Sequence, residues 1–337
     1  MKICQILAGD EEGGLEKHFE ELCNRISEHH EVHIIAHEKY RERFVQNIVF
    51  HALDLSKGRK NPFILYKLRQ IINYIDPAIL HAHANKAVEM VGNIKSFLNT
   101  SPKLVATLHS KKRKLNSFEK FDHVIGVSHE VLKALNSPYQ SVIYNGISLI
   151  TKERDSQYLF QFGIQDAFVL CAVGRLESVK NFSLLIHAVK VLDVKLLIVG
   201  EGSEEKKLKM LTKELCLEDK IIFTGLRGDV QELMINSDLC VITSDREGFS
   251  YVMAEALLLK TPVISTDVGD MKKILPRHFV IPVNDEKILS SKIHFIQKHY
   301  TDVLEQYEQS FRFAAEHFTL DAMVAGTLEV YDKVMRQ

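Results

Sequence analysis

Apolar and polar positions alternate along this chain in two rhythms. Short apolar runs rich in Ile, Val and Leu stand at residues 2–8, 31–36, 79–82, 104–108, 123–127 and 141–144. Longer stretches, with apolar residues three or four apart, lie between them at about 15–27, 61–74, 86–98 and 130–135. The runs predict buried strands and the stretches predict amphipathic helices, so the first half reads as βαβ units on a parallel sheet. A second series of runs follows at 167–173, 195–199, 220–223, 238–243 and 262–265, each leading into another helix-like stretch. Between the two series, Asn145-Gly146 is a turn dipeptide and residues 151–156 are polar, which predicts a domain boundary. Two doubly wound halves in series are expected to face a deep cleft, with ligands at the carboxyl ends of the strands. The last segment, 320–335, predicts an amphipathic helix with Met323, Leu328 and Tyr331 as core contacts.

Composition changes this picture little. The chain has 337 residues, 46% apolar and 26% charged, enough for two domains of an ordinary soluble type. A net charge of -1 removes any bulk electrostatic case for nucleic acid, which is not an expected partner. The distribution of charge says more. Residues 57–122 hold thirteen Lys/Arg against four acids (Asp76, Glu89, Glu119 and Asp122), which predicts an anionic partner on the N-terminal half. Five scattered cysteines without a C-x-x-C pair fit a reduced, cytoplasmic protein. No window of eighteen apolar residues exists, and the chain opens directly on a strand, leaving no room for a signal peptide. If a membrane matters, the protein is expected to lie on its inner face.

The chemistry-bearing residues gather just after the strands. Glu247-Gly248-Phe249-Ser250-Tyr251-Val252-Met253-Ala254-Glu255 joins a strand to an Ala/Leu-rich helix. Counted as helix, eight residues bring Glu255 to within about 80° of Glu247, so both carboxylates reach one ligand. Gly248 lets backbone approach it, and the amides of Phe249, Ser250 and Tyr251 offer an anion site. Two hydroxyl-binding carboxylates beside a phosphate-binding helix start suit a sugar nucleotide. After residue 173, Arg175 supplies forked donors and Lys180 a point charge, a clamp for a leaving diphosphate. Gly13-Gly14 opens a helix in a manner suited to pyrophosphate, without the G-x-G-x-x-G of dehydrogenases. Gly202 and Leu226, after two further strands, are candidates to lie against a base or ribose.

His81 and His83 share a strand face and His109 ends another strand, but no fourth ligand has recognisable spacing, so no metal is expected. His109 is better placed to touch substrate, while His81 and His83 suit structural roles equally well. Lys111, Lys112, Arg113 and Lys114 follow it directly and are candidates to hold a phosphorylated acceptor or an anionic membrane surface. Lys67 and Arg69 add to the same half.

The order of these motifs resembles family 4 of the glycosyltransferases, the large retaining family with the GT-B fold. Gly13-Gly14-Leu15-Glu16 is similar to its N-terminal glycine loop, and His81-Ala82-His83 and Thr107-Leu108-His109 to two of its strand ends. The 122–128 and 142–147 segments, Gly174-Arg175-Leu176 with Lys180-Asn181, and the Glu247/Glu255 pair complete the likeness. It implies an α/β GT-B fold: an acceptor domain of 1–147, a donor domain of 148–317, and a helix of about 318–337 returning to the first. It implies that Arg175 and Lys180 bind the donor diphosphate and that Glu255 holds the ribose. Glu247 would then face the transferred sugar, His109 its reacting side, and Gly14 the phosphates. Ser148, where the family often has Asp, is a harmless departure. Val268-Gly269-Asp270, in place of a Gly-Gly-x-x-Glu run, removes an expected sugar contact.

The implied reaction moves a sugar with retention from a nucleotide donor, expected to be a UDP-sugar, to a glycan or glycolipid acceptor, lipid-linked or of the lipopolysaccharide kind. The nucleotide sugar is a co-substrate, and neither cofactor nor metal is expected. A front-face substitution is expected, the departing phosphate taking the acceptor proton. A sugar-nucleotide epimerase on the same fold, and a non-catalytic nucleotide-sugar-binding protein, remain as alternatives.

Overall fold

Apolar runs bounded by turn residues become strands, and every strand pairing is parallel. The computed structural model describes residues 1–9, 13–112, 115–150, 152–155 and 157–337. The chain divides into two units, Met1–Gly146 with Thr319–Gln337, and Ile147–Phe318.

Unit 1 holds β1 (Lys2–Leu7), β2 (Glu31–Ala36), β3 (Val49–Ala52), β4 (Ile79–His83), β5 (Lys103–Leu108), β6 (His123–Gly126) and β7 (Gln140–Val142). Their order in the sheet is β3-β2-β1-β4-β5-β6-β7. The helices are α1 (Gly14–Ile26), α2 (Pro62–Ile75), α3 (Ala84–Ile94) and α4 (His129–Leu132). β1 and β4 sit mid-sheet, buried almost throughout. Chain order reverses between them, and that is where a doubly wound sheet opens a crevice at its carboxyl edge.

Unit 2 repeats the plan. It holds β8 (Val169–Val173), β9 (Lys195–Val199), β10 (Ile221–Gly225), β11 (Leu239–Ile242), β12 (Val263–Thr266) and β13 (Val280–Ile281), ordered β10-β9-β8-β11-β12-β13. Its helices are α5 (Phe182–Ala188), α6 (Glu205–Glu214), α7 (Val230–Ile235), α8 (Tyr251–Leu258), α9 (Met271–Ile274), α10 (Glu286–Lys298) and α11 (Tyr300–His317). Here the reversal falls between β8 and β11.

The last helix, α12 (Leu320–Met335), belongs to unit 1. Thr319 caps it by accepting from the Ala322 amide at 3.2 Å. Met323, Val330, Tyr331 and Val334 enter the core of β1 and α1, with Leu328 packed against its edge. Each apolar side chain so buried contributes about 1.5–3 kcal/mol. The crossing is tight: a Cβ on Gly146 would lie 2.6 Å from the Leu320 Cα, so only glycine fits there.

Three expectations need correction. The edge strand β3 and the two-residue β13 carry too little apolar signal to be foreseen. The helix expected over 130–135 ends at Leu132, and the one expected over 86–98 gives way at Lys95–Phe97 to a 3-10 turn.

Candidate functional site

In unit 2 the strand-end residues meet at the β8/β11 reversal. Thr243 and Ser244 leave β11, and Arg175 to Lys180 leave β8. The Thr243 hydroxyl donates to the Lys180 carbonyl at 2.8 Å, and the Asp245 amide donates to the Val179 carbonyl at 2.9 Å. These bonds tie the two loops together. Across them, the Lys180 ammonium donates to Glu247 Oε1 at 2.6 Å, and the Ser244 hydroxyl donates to the same oxygen at 2.7 Å. The Ser244 carbonyl is itself held by the Thr266 hydroxyl at 2.6 Å. Such charge-assisted bonds, shielded from water, fix both side chains before any ligand arrives. Lys180, Thr243, Ser244, Glu247 and Ser250 line one pocket with Val173. Arg175 is exposed beside it and makes no ion pair among the described residues.

The glutamate pair needs a different explanation from helical spacing. α8 starts only at Tyr251, so Glu247 lies in the loop before it, and no 100° count relates it to Glu255. Lys180 and Ser244, not a helix, aim Glu247; Glu255 sits half-buried in α8. Ser250 takes the N-cap, its Oγ accepting from the Met253 amide at 3.3 Å. The helix therefore opens with amides 251–253, not 249–251. Phe249 is a packing residue, edge-on to Tyr251 at 5.6 Å and to Phe318 at 5.5 Å between ring centroids.

Two glycines of this unit, Gly200 and Gly202, serve the protein's own backbone. A Cβ on Gly202 would lie 2.5 Å from the Leu176 carbonyl oxygen, and one on Gly200 2.1 Å from that of Gly174. The Leu176 amide donates to Glu201 O at 2.8 Å and the Glu204 amide donates to Leu176 O at 2.8 Å. Gly202 thus lets two loops touch, which gives glycine a packing reason of its own beside the expected contact with a base or ribose. Leu226 is exposed, its amide donating to Glu201 Oε1 at 3.4 Å.

Unit 1 gathers histidines at the β1/β4 reversal. A buried chain of hydrogen bonds runs from Thr107 through His81, Tyr331 and Gln5 to His83. Gln5 Nε2 donates to the Tyr331 hydroxyl at 2.9 Å, so the phenol proton goes to His81 Nδ1, 2.6 Å away. His81 Nε2–H then donates to Thr107 at 2.7 Å, and His81 is structural, fully satisfied. At the other end Gln5 Oε1 accepts from His83 Nε2–H at 2.8 Å, leaving His83 Nδ1 as a lone pair. Buried His83 Nδ1, His109 Nε2, both nitrogens of His18 and Asn145 Oδ1 have no hydrogen-bond partner among the described residues.

His18 is the residue sequence reasoning missed. It lies on α1, with its ring 4.7 Å from that of His109 and 5.6 Å from that of His83. The signal was available: positions 18, 22 and 26 fall on the buried face of α1, where a histidine is out of place. Burial pushes the His18 imidazole down to about 4 and holds His81, His83 and His109 well below the usual range. The cluster is therefore neutral at pH 7 and offers lone pairs, not charge.

One donor atom from each of His18, His83 and His109 lies within 4.8 Å of the others. Tetrahedral zinc holds its nitrogens about 3.4 Å apart, so these rings would have to close by about an ångström to bind it. Hydroxyl groups of a ligand suit the present spacing better. Gly13 contrasts with Gly202: among the described residues a Cβ there would meet only Glu16 Oε2, at 3.6 Å, and Gly14 begins α1 directly behind it. Among the described residues, no packing requires glycine at position 13.

The basic loop is less uniform than expected. Lys111 donates to Glu130 Oε1 at 2.6 Å, so its charge is engaged, while Lys112 is exposed. Arg113 and Lys114 lie outside the described residues. Among the described residues, no helix is long and apolar enough to cross a membrane.

Comparison with known proteins places these features. The model for glycosyl transferases group 1 matches residues 156–310, and that for glycosyltransferase family 4 matches residues 12–150. N-acetyl-alpha-D-glucosaminyl L-malate synthase of Bacillus anthracis is 27% identical over 76% of this chain and 76% of its own length. A Campylobacter jejuni enzyme is 27% identical over 76% of this chain and 78% of its own; it is named for 4-alpha-N-acetylgalactosaminyl transfer to a diphospho-undecaprenol-linked sugar. The crystal structure of Anabaena HepE in complex with UDP superimposes with a TM-score of 0.87 at 21% identity, covering 99% of this chain and 100% of that one. Together the two family models take in both units, and the shared architecture runs the length of the chain: it belongs to the family 4 glycosyltransferases of GT-B fold.

Proposed function

We propose that this glycosyltransferase moves a sugar, with retention at the anomeric carbon, from a UDP-sugar to a hydroxyl of a lipid-linked glycan, and needs no metal to do so. The observation that carries the reading is the Lys180–Glu247–Ser244 constellation at the β8/β11 reversal, with Arg175 open beside it. Arg175 and Lys180 take the diphosphate and stabilise the charge that develops as it leaves. With two cations in that role, no metal is called on. Glu247, aimed by Lys180 and Ser244, accepts from hydroxyls of the transferred sugar, and Glu255 from the ribose. Gly14 and the 251–253 amides add backbone donors for phosphate oxygens.

In unit 1 the neutral nitrogens of His109, His18 and His83 bind hydroxyls of sugar or acceptor. The acceptor oxygen bonds to the anomeric carbon as the carbon–phosphate oxygen bond breaks, and the acceptor proton passes to the departing diphosphate. The oxocarbenium-like transition state leaves no covalent adduct on the protein. The base assignment draws support from the UDP complex of the Anabaena neighbour, and the acceptor assignment from the Campylobacter relative and the basic 57–122 region. The Bacillus relative, named for transfer to malate, favours a second reading in which the acceptor is a small soluble acid.

The test is direct. UDP-, GDP- and ADP-sugars are incubated, with EDTA present, with a polyprenyl-diphosphate-linked glycan or with malate, and the product's anomeric configuration is read by NMR. Transfer from a UDP-sugar to the polyprenyl glycan in the α configuration is expected. Transfer to malate alone selects the second reading, and nucleotide release without any acceptor product overturns both.

A further inference from the structure

Helix α2 carries a surface that the transfer reaction does not use. Its inner face buries Leu68, Ile72 and Ile75, as an amphipathic helix should. Its outer face is not the polar one that packing would leave. Phe63 is 78% exposed, Tyr66 56% and Tyr74 82%. With Lys67 and Gln70 these residues fall within about 100° of one another around the helix, over about 16 Å of its length. Gln70 Nε2 donates to the Tyr66 hydroxyl at 2.9 Å, so these two polar groups of the stripe meet each other. Arg69, to one side of the stripe, is held by the Phe97 carbonyl, to which its Nε donates at 2.5 Å.

The charge on the helix is basic, with the exposed Asp76 at its C-cap as the opposing acid beside it. α2 contains Lys67 and Arg69 and no acid, and Lys60 stands exposed just before its cap, Asn61. Asn61 Oδ1 accepts from the Phe63 amide at 3.0 Å, which fixes where Phe63 leaves the helix start. Soluble monomers seldom display aligned aromatic rings on one helix face. Aromatic rings interleaved with lysines, on a helix lacking acids, match the headgroup region of an anionic bilayer. There the rings enter the interface while the ammonium groups stay at lipid phosphates. With a net charge of -1 over the whole chain, such attraction has to come from a local patch of this kind.

We propose that the Phe63/Tyr66/Tyr74 stripe of α2, flanked by Lys60 and Lys67, docks the protein on an anionic lipid surface. The inference rests on the lipid-linked acceptor reading and assigns the surface that brings the enzyme to such an acceptor. It places docking on α2 and not on the 111–114 loop, where Lys111 is already held by Glu130.

The test is flotation of the full chain with vesicles of phosphatidylcholine alone or with phosphatidylglycerol added. Wild type is expected to float with the anionic vesicles, less so at high salt, and to stay below with the neutral ones. Phe63→Ser/Tyr74→Ser and Lys60→Glu/Lys67→Glu are each expected to cut the bound fraction roughly tenfold. Both should retain the wild-type melting temperature, nucleotide binding and transfer to a water-soluble acceptor analogue. Flotation that survives both double variants, or that is lost only in Lys111→Glu/Lys112→Glu, overturns the proposal. So does a stripe variant that dissolves a dimer in light scattering while leaving flotation intact, since the surface then joins two copies of the chain. Flotation of wild type without transfer to any acceptor would defeat the acceptor reading and leave the docking surface standing.

Discussion

The two strand-order reversals of this chain share a topology and differ in nearly everything chemical. At β8/β11 the polar groups are charged, mutually bonded and aimed: Lys180 and Ser244 both hold one oxygen of Glu247. At β1/β4 they are neutral, desolvated imidazoles, four of whose own nitrogens lack any hydrogen-bond partner among the described residues. The glycines differ in the same sense. Gly202 is filled against the protein's own backbone, and Gly13 is not. A parallel sheet thus fixes where a ligand sits, while the residues just past each strand decide what it can be. One edge presents aimed charges, suited to the proposed diphosphate, and the other neutral lone pairs, suited to hydroxyls.

The largest effect should come from removing charge at the first edge. Arg175→Ala is expected to lower kcat for transfer by about 10²–10³, as removal of one preorganised transition-state donor does. Steady-state kinetics check it; a loss confined to KM would make Arg175 a ground-state contact only. Next comes acid. His18 is held at about 4 when folded, against about 6.5 unfolded, so folding stability is unaffected above pH 6.5 and falls as pH drops towards 4. From His18 alone the loss approaches about 3 kcal/mol, and His83 and His109 add to it in the same direction. Hydrogen exchange at pH 7 and pH 5 should show protection lost first in β1, β4 and α1. Equal loss in β8 and β11 would erase the contrast between the units.

The glycines sharpen the comparison at smaller scale. Gly202→Ala must displace backbone and is expected to destabilise by about 1–3 kcal/mol, read by thermal melting. Gly13→Ala should leave melting unchanged and weaken nucleotide-sugar binding. Smallest is His109→Ala, which removes one neutral hydrogen bond to a hydroxyl and should slow transfer about tenfold. Its nucleotide affinity should stay that of wild type, a split visible in parallel kinetics and titration.

Much of this was legible in the residues, for identifiable reasons. Central parallel strands are buried on both faces, so β1, β2, β9 and α12 stand out as apolar patterns close to their true limits. Edges lack that signal: β3 is only half-buried, and β13 is two residues long. Arg175, Lys180 and Glu247 follow strands β8 and β11, so their nearness to one sheet edge is legible from position. How Glu247 is aimed was not legible, because a loop and not a helix carries it, and the Lys180 contact spans 67 positions. The histidine set was half legible. His83 ends β4 and His109 follows β5, but which neighbour completes the cluster depends on Gln5 and Tyr331, 326 residues apart, turning His81 away from it.

In the proposed reaction Arg175 and Lys180 of unit 2 carry most of the diphosphate's charge, and the histidines of unit 1 meet hydroxyls of the sugar or acceptor. Calorimetric titration of UDP, without divalent metal, into wild type, Arg175→Ala and the double variant His18→Ala/His109→Ala tests it most directly. Arg175→Ala is expected to lose at least about tenfold in affinity, the loss of a charge-assisted contact, while the histidine double variant binds as wild type does. UDP affinity that survives Arg175→Ala and falls in the histidine variant would contradict it, and would move the nucleotide to the other sheet.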